Sequence, residues 1–276
     1  MAFIKASAAN IAHATQHSDL SIVISSDNES KQIMGLSKVL SELQKTDPRV
    51  GRENTLVALD SAPGGRVLHV PAPDLSGDYI DVRLFFKLGK EIALLLHSLE
   101  SRSPSIFFED ACVREDSGKI ISGFENALAL VYLGICQGLW QPLEAIEFLG
   151  DEKIEPLSSI YLIDADPETC ELVSSIEAGK RVARDLCGTE PERMAPPRFA
   201  DYCQQVFSNT TVACTVEDNI QTIAQDYPLL FAVARASIEV ERHQPRVIRL
   251  EYKGEGEITH TLYFAGKGIT YDTGGA

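Results

Sequence analysis

The sequence is poor in basic residues, in tryptophan and in long apolar runs. Lysine and arginine number 25 against 40 aspartates and glutamates, a formal net charge of −15. Sequence-independent nucleic-acid binding needs clustered cations to displace counterions, and an anionic membrane surface attracts the same clusters. Both partners are therefore excluded as expectations. No apolar stretch approaches the ~18 residues of a membrane span. The N-terminus Met1-Ala2-Phe3-Ile4-Lys5-Ala6 lacks the sustained apolar segment of a secretory signal. Six cysteines, at 112, 136, 170, 187, 203 and 214, show no CxxC pair and no close spacing. They read as free thiols in a reducing cytoplasm, because a chain of this size needs no disulfide staples.

What is present is a core-forming composition, 44% hydrophobic and 24% charged over 276 residues. That suits one large domain or two ordinary ones. Strand-like and helix-like segments alternate, which predicts an α/β fold. Ser21–Ile24, Thr55–Leu59, Arg66–Val70, Ile106–Phe108 and Ser159–Ile163 read as strands. Pro63-Gly64-Gly65 is a turn between two of them. Apolar residues at helical spacing predict helices from Ile33 to Leu43, with Ser30 as N-cap, from about Asp78 to Glu100, and from Phe124 to Leu139. Trp140 is expected to plug the core. The composition changes near residue 165, predicting domains 1–165 and 166–276. Asp166-Pro167-Glu168 opens a helix to about Leu186, and a second helix opens at Pro197. Val212–Val216, Val247–Tyr252 and Thr261–Ala265 are expected strands.

The segment with most chemistry is Gly266-Lys267-Gly268-Ile269-Thr270-Tyr271-Asp272-Thr273-Gly274-Gly275. A divalent metal can hold a lysine amine in its neutral form, because metal and proton compete for it. A carboxylate five residues on adds a hard oxygen ligand. Read alone, the same residues also describe a glycine-rich strand exit with a solvated lysine and a turn-capping aspartate. A phosphate-cradling loop is disfavoured, since the GxxxxGK[ST] order is absent.

This segment resembles the first metal-binding signature of the leucyl aminopeptidases, the cytosol aminopeptidase or M17 family, which reads Gly-Lys-Gly-[Ile/Val]-Thr-Phe-Asp-[Ser/Thr]-Gly-Gly. A second stretch, Val182 to Pro196, resembles the family's Ala-Arg-Asp-Leu-x-Asn-Thr-Pro-x-Asn-x-Met-Thr-Pro, departing at Gly188, Glu190, Arg193 and Ala195. A third, Pro245 to Tyr252, is similar to the strand that precedes the metal motif. The resemblance is clear from about residue 166 onward. It implies an N-terminal macrodomain-like α/β domain, a linker helix and the first part of an α/β/α metallopeptidase catalytic domain. It further implies a hydrolase that removes N-terminal, Leu-like residues from peptides, a hexameric assembly, and two divalent ions, Zn²⁺ or Mn²⁺ with Mg²⁺ or Co²⁺ as alternatives. Lys267 would ligate the more loosely held metal and Asp272 would bridge both.

The family's other ligands and its catalytic Lys and Arg correspond to positions after Ala276. No catalytic residue is therefore expected within residues 1–276, and these residues alone are expected to be inactive. Residues 166–276 are likewise expected to be less stable than 1–165. The competing expectation is a non-catalytic binding or regulatory protein that uses the macro-like domain or co-assembles with a full-length partner. His69, His97, His243 and His260 read as packing or surface residues, and Cys187 lacks the His/Asn partners of a nucleophile.

Overall fold

The computed structural model describes residues 4–26, 33, 35–115, 117–150, 157 and 159–266. The chain divides into two compact units, residues 2–181 and residues 182–276.

The first unit is built on a six-stranded sheet. Its strands are β1 (Lys5–Ala9), β2 (Leu20–Ser25), β3 (Thr55–Ala58), β4 (Arg66–Pro71), β5 (Pro104–Phe108) and β6 (Ser159–Ile163). They lie in the order β1-β6-β5-β2-β4-β3. Every neighbouring pair is parallel except β3 with β4. The antiparallel pair follows from its short connection, since a parallel pair needs a longer crossover. Pro63-Gly64-Gly65 forms that turn, with Gly64 at φ +76°. A Cβ on Gly64 would strike the Asp19 backbone, so the glycine is required there.

Strand alternation sends side chains to two cores. Leu20, Ile22 and Ile24 of β2, with Leu68, Val70, Ile106, Phe108, Ile160 and Leu162, enter one. Val23, Val57, Val67, Phe107 and Ile163 enter the other. The central strands β2 and β5 are buried on both faces, which explains their short, nearly continuous apolar runs. The first core is roofed by helices α3 (Arg83–Ser98) and α4 (Ala127–Leu139). These two approach closely through glycine: a Cβ on Gly134 would run into the Phe86 carbonyl, and one on Gly89 into that of Val131. Phe85 meets Phe108 and Phe124 edge-on, at ring separations of 5.7 and 6.2 Å. The second core is covered by α1 (Ile11–His17) and α2 (Leu36–Gln44), which contribute Ala14, Leu36 and Leu40. Gly35, in the left-handed region, caps α2; the expected cap, Ser30, lies outside the described residues. Helix α5 (Leu143–Leu149) follows α4. Trp140 ends α4 and is half-buried.

Helix α6 (Pro167–Gly188) begins as its sequence predicts. Asp166 Oδ2 accepts the Thr169 backbone N–H at 2.9 Å, and Pro167 occupies the first turn. The second unit then holds α7 (Pro196–Phe207), β7 (Ala213–Glu217), α8 (Ile220–Asp226), α9 (Pro228–Ala234) and β8 (Val247–Glu251). β7 and β8 form a two-stranded antiparallel sheet. The expected strand Thr261–Ala265 does not form. Residues 252–266 contain no strand, and Leu262, Tyr263 and Phe264 are 79%, 92% and 91% exposed. Strand propensity in this stretch finds no neighbouring strand to pair with among the described residues, and a lone strand has no ladder to hold it.

Candidate functional site

Lys267 and Asp272, the two sequence-predicted metal ligands, lie outside the described residues. The structure describes what leads to them. Pro245–Tyr252 contains β8, which pairs with β7 from Val247↔Glu217 to Glu251↔Ala213. Arg249 on this strand places its guanidinium 5.7 Å from the Tyr227 ring centre and donates to the Tyr227 hydroxyl. From Glu251 the chain passes through a bend at Glu255-Gly256, where Gly256 takes φ +83°, and continues exposed to Gly266.

The Val182–Pro196 stretch forms the end of α6 and the turn into α7. Its aspartate, Asp185, is fully buried. Asp185 Oδ2 accepts the Tyr202 hydroxyl at 2.7 Å, and Thr189 Oγ1 donates to the Asp185 carbonyl at 2.6 Å. Burying a carboxylate is costly unless donors meet it, so this pair ties α6 to α7. Nearby, Glu192 receives hydrogen bonds from His243, at 2.7 Å, and from Arg242. His243 first, then Arg242, hold the Glu192 carboxyl below its ordinary value. His243 is thus occupied by an ion-pair cluster. His260 is exposed and lies 3.0 Å from Thr259 Oγ1. Sequence reasoning missed both the Asp185–Tyr202 and the Glu192–His243 contacts, because each joins residues far apart in the chain and has no motif.

Two open depressions occur in this unit. One, of about 460 Å³, is lined by neutral residues including Gln204, Phe207, Thr211 and Cys214. The other, of about 400 Å³, is lined by Pro197, Glu241, Arg242 and Arg246. Neither offers convergent carboxylates or imidazoles to a cation. Among the described residues, no three His, Cys, Asp or Glu side chains cluster as a metal centre would require. None of the six cysteines is joined in a disulfide. Burial pushes Cys203 up to about 11 and raises Cys170 and Cys214, so these thiols stay protonated at neutral pH. His69 is buried in β4, with Nε2 3.0 Å from Ser25 Oγ. No helix among the described residues is long and apolar enough to cross a membrane.

The donor set at 267 and 272 fits a divalent cation by chemistry: one amine nitrogen and one hard carboxylate oxygen. Comparison with known proteins gives that motif its context. Residues 181–276 match the cytosol aminopeptidase family, catalytic domain. A putative aminopeptidase of Caenorhabditis elegans is 33% identical over 249 residues, 89% of this chain and 46% of its own length. A probable cytosol aminopeptidase of Geobacter sulfurreducens is 35% identical over 139 residues, 50% of this chain and 26% of its own. The chain thus spans less than half the length of these curated relatives. Among solved structures, a mutant of tomato leucine aminopeptidase superposes with a TM-score of 0.60 at 18% identity, over 93% of this chain and 52% of that one. An M17 aminopeptidase from Trypanosoma brucei gives 0.61 at 12% identity, over 93% and 50%. These likenesses share the α/β fold described above. Residues 181–276 thus carry the likeness to the catalytic domain of the cytosol aminopeptidase family, M17, and the Caenorhabditis elegans relative extends the similarity through most of the sequence.

Proposed function

We propose that this chain supplies the N-terminal part of a metal-dependent leucyl aminopeptidase. In this reading residues 1–165 form a macrodomain-like domain, and residues 166–276 form the linker helix and the start of the catalytic domain. The observation that carries the proposal is the Gly266–Gly275 motif inside a segment matched to the family's catalytic domain. Lys267 and Asp272 are the residues that would hold divalent ions of the Zn²⁺ or Mn²⁺ type. A neighbouring fold is a bottromycin maturation enzyme in complex with Mn, which supports a divalent metal. Such ions, when bound, acidify a water and polarise a carbonyl. The chain's own contribution is to offer a lysine amine, neutral when it ligates, and a carboxylate on a glycine-rich segment that a cation can approach closely. The substrates are peptides with Leu-like N-terminal residues, the assembly is a hexamer and the compartment is the cytoplasm, where unpaired thiols persist.

One amine and one carboxylate do not fill the coordination of two divalent ions. Residues 1–276 purified alone, with Mn²⁺ or Zn²⁺, are therefore expected to hydrolyse leucine amide at background rate. A fusion of residues 1–276 to the following catalytic residues of the Caenorhabditis elegans relative is expected to be active. Asp272→Ala or Lys267→Ala should lower its kcat/KM at least a hundredfold. Full turnover by residues 1–276 alone would overturn the incomplete-centre reading. A folded, metal-loaded fusion without peptidase activity would overturn the aminopeptidase reading.

A further inference from the structure

Two imidazole side chains meet in the first unit. His13 and His17 are one turn apart on α1, both exposed, with ring centres 4.4 Å apart and planes inclined by 37°. Residues at i and i+4 share one helix face, which is why the rings meet. The helix is short but fixed at both ends. Asn10 Oδ1 accepts the His13 N–H at 2.9 Å, and the Ser18 N–H closes the last turn on the Ala14 carbonyl at 2.8 Å. Tyr161 of β6 backs the pair, meeting His13 edge-on at 5.2 Å and His17 at 6.5 Å. The imidazoles therefore have a rigid aromatic wall behind them and solvent in front.

That separation is close to what a chelate requires. Two imidazole nitrogens bound side by side to one metal, each at about 2.0–2.1 Å, put their ring centres roughly 4.5–5 Å apart. The observed separation of 4.4 Å lies at the short edge of this range. Imidazole nitrogen suits Cu²⁺, Ni²⁺ and Zn²⁺, while Mg²⁺ and Ca²⁺ prefer oxygen donors. We propose that His13 and His17 form a two-imidazole binding site for a transition-metal ion, separate in sequence and in ligand chemistry from Lys267 and Asp272. Water fills the remaining coordination positions, so the ion exchanges freely and stays accessible to a further donor. Binding also clamps α1 across its full length, because the two ligands sit at the first and last turns. The site stores or captures a nitrogen-preferring ion, and no peptide chemistry is assigned to it.

The test is Ni²⁺ titration of the 276-residue chain by calorimetry, in excess Mg²⁺ to suppress oxygen-ligand sites. His13→Gln and His17→Gln should each weaken the affinity at least tenfold. His97→Gln, which removes an exposed histidine of α3, should leave it unchanged. Unaltered affinity in both α1 variants would overturn the proposal, as would equal weakening by His97→Gln. A second measurement needs no variant: substoichiometric Cu²⁺ should broaden the imidazole NMR signals of His13 and His17 before those of the other four histidines. Uniform broadening across all six, or broadening elsewhere first, would refute the site.

Discussion

Residues 2–181 and residues 182–276 use similar ingredients with different results. In the first unit each central strand has neighbours on both sides, and helices cover both faces of the sheet. In the second, the described sheet has two strands, and β8 carries Leu250 half exposed. Leu229, Tyr252, Leu262, Tyr263 and Phe264 are more exposed still. A two-stranded sheet is marginal in water, and an exposed apolar strand edge invites pairing with another chain. The difference teaches that hydrophobic content does not make a core; stacking layers that remove it from water do.

The largest effect should appear in native-state proteolysis. Thermolysin is expected to cut between residues 182 and 266 at least an order of magnitude faster than within residues 4–181, because opening there exposes few buried contacts. Equal cleavage rates, followed by mass spectrometry, would erase the contrast. Next, Gly134→Leu should destabilise the first unit by about 3 kcal/mol, since its side chain would collide with the Phe86 carbonyl. Gly254→Ala, in open space in the second unit, should stay within about 0.5 kcal/mol. Urea unfolding of both variants checks the pair. A smaller loss is expected for Tyr202→Phe, which removes a donor to buried Asp185 and should cost about 1–3 kcal/mol in the second unit. Thermal unfolding of that variant at wild-type midpoint would show the Asp185 carboxylate to be satisfied without it. The smallest effect concerns Glu192, whose folded value is depressed by His243 and Arg242. Its stabilisation is present above the ordinary carboxylate value of 4.5 and is lost as pH falls through the depressed folded value. Glu192→Gln should therefore narrow the difference in melting temperature between pH 7 and pH 3; an unchanged difference would remove this cluster from the acid response.

Much of the first unit was legible because its signals are local. The apolar runs at 21–24, 106–108 and 159–163 became β2, β5 and β6, and the Pro63-Gly64-Gly65 turn joins β3 to β4. β1 escaped notice: Lys5-Ala6-Ser7-Ala8-Ala9 has no β-branched or aromatic residue. It is a strand because it pairs with β6 from Lys5↔Ser159 to Ala9↔Ile163, and because the Tyr132 hydroxyl fixes the Ile4 carbonyl at its entrance. Thr261–Ala265 erred the other way, with strand-forming residues and no partner strand among the described residues. Of the region of the candidate site, the helix and the strand before the glycine-rich motif were readable, since each carries its own residue pattern. The buried Asp185–Tyr202 contact was not, as it depends on how α6 and α7 cross.

The sequence by itself determined the α/β alternation, the turns, the starts of α6 and α7, and the family signature at residues 266–275, all of which rest on neighbours within a few positions. Tertiary structure alone decided which strands stand side by side, that β3 runs against β4, and that Asp185 is inside. It also decided that His13 and His17 share a solvent-facing surface against Tyr161. Those outcomes depend on contacts between residues distant in the chain, whose energies are set by burial and by satisfied hydrogen bonds.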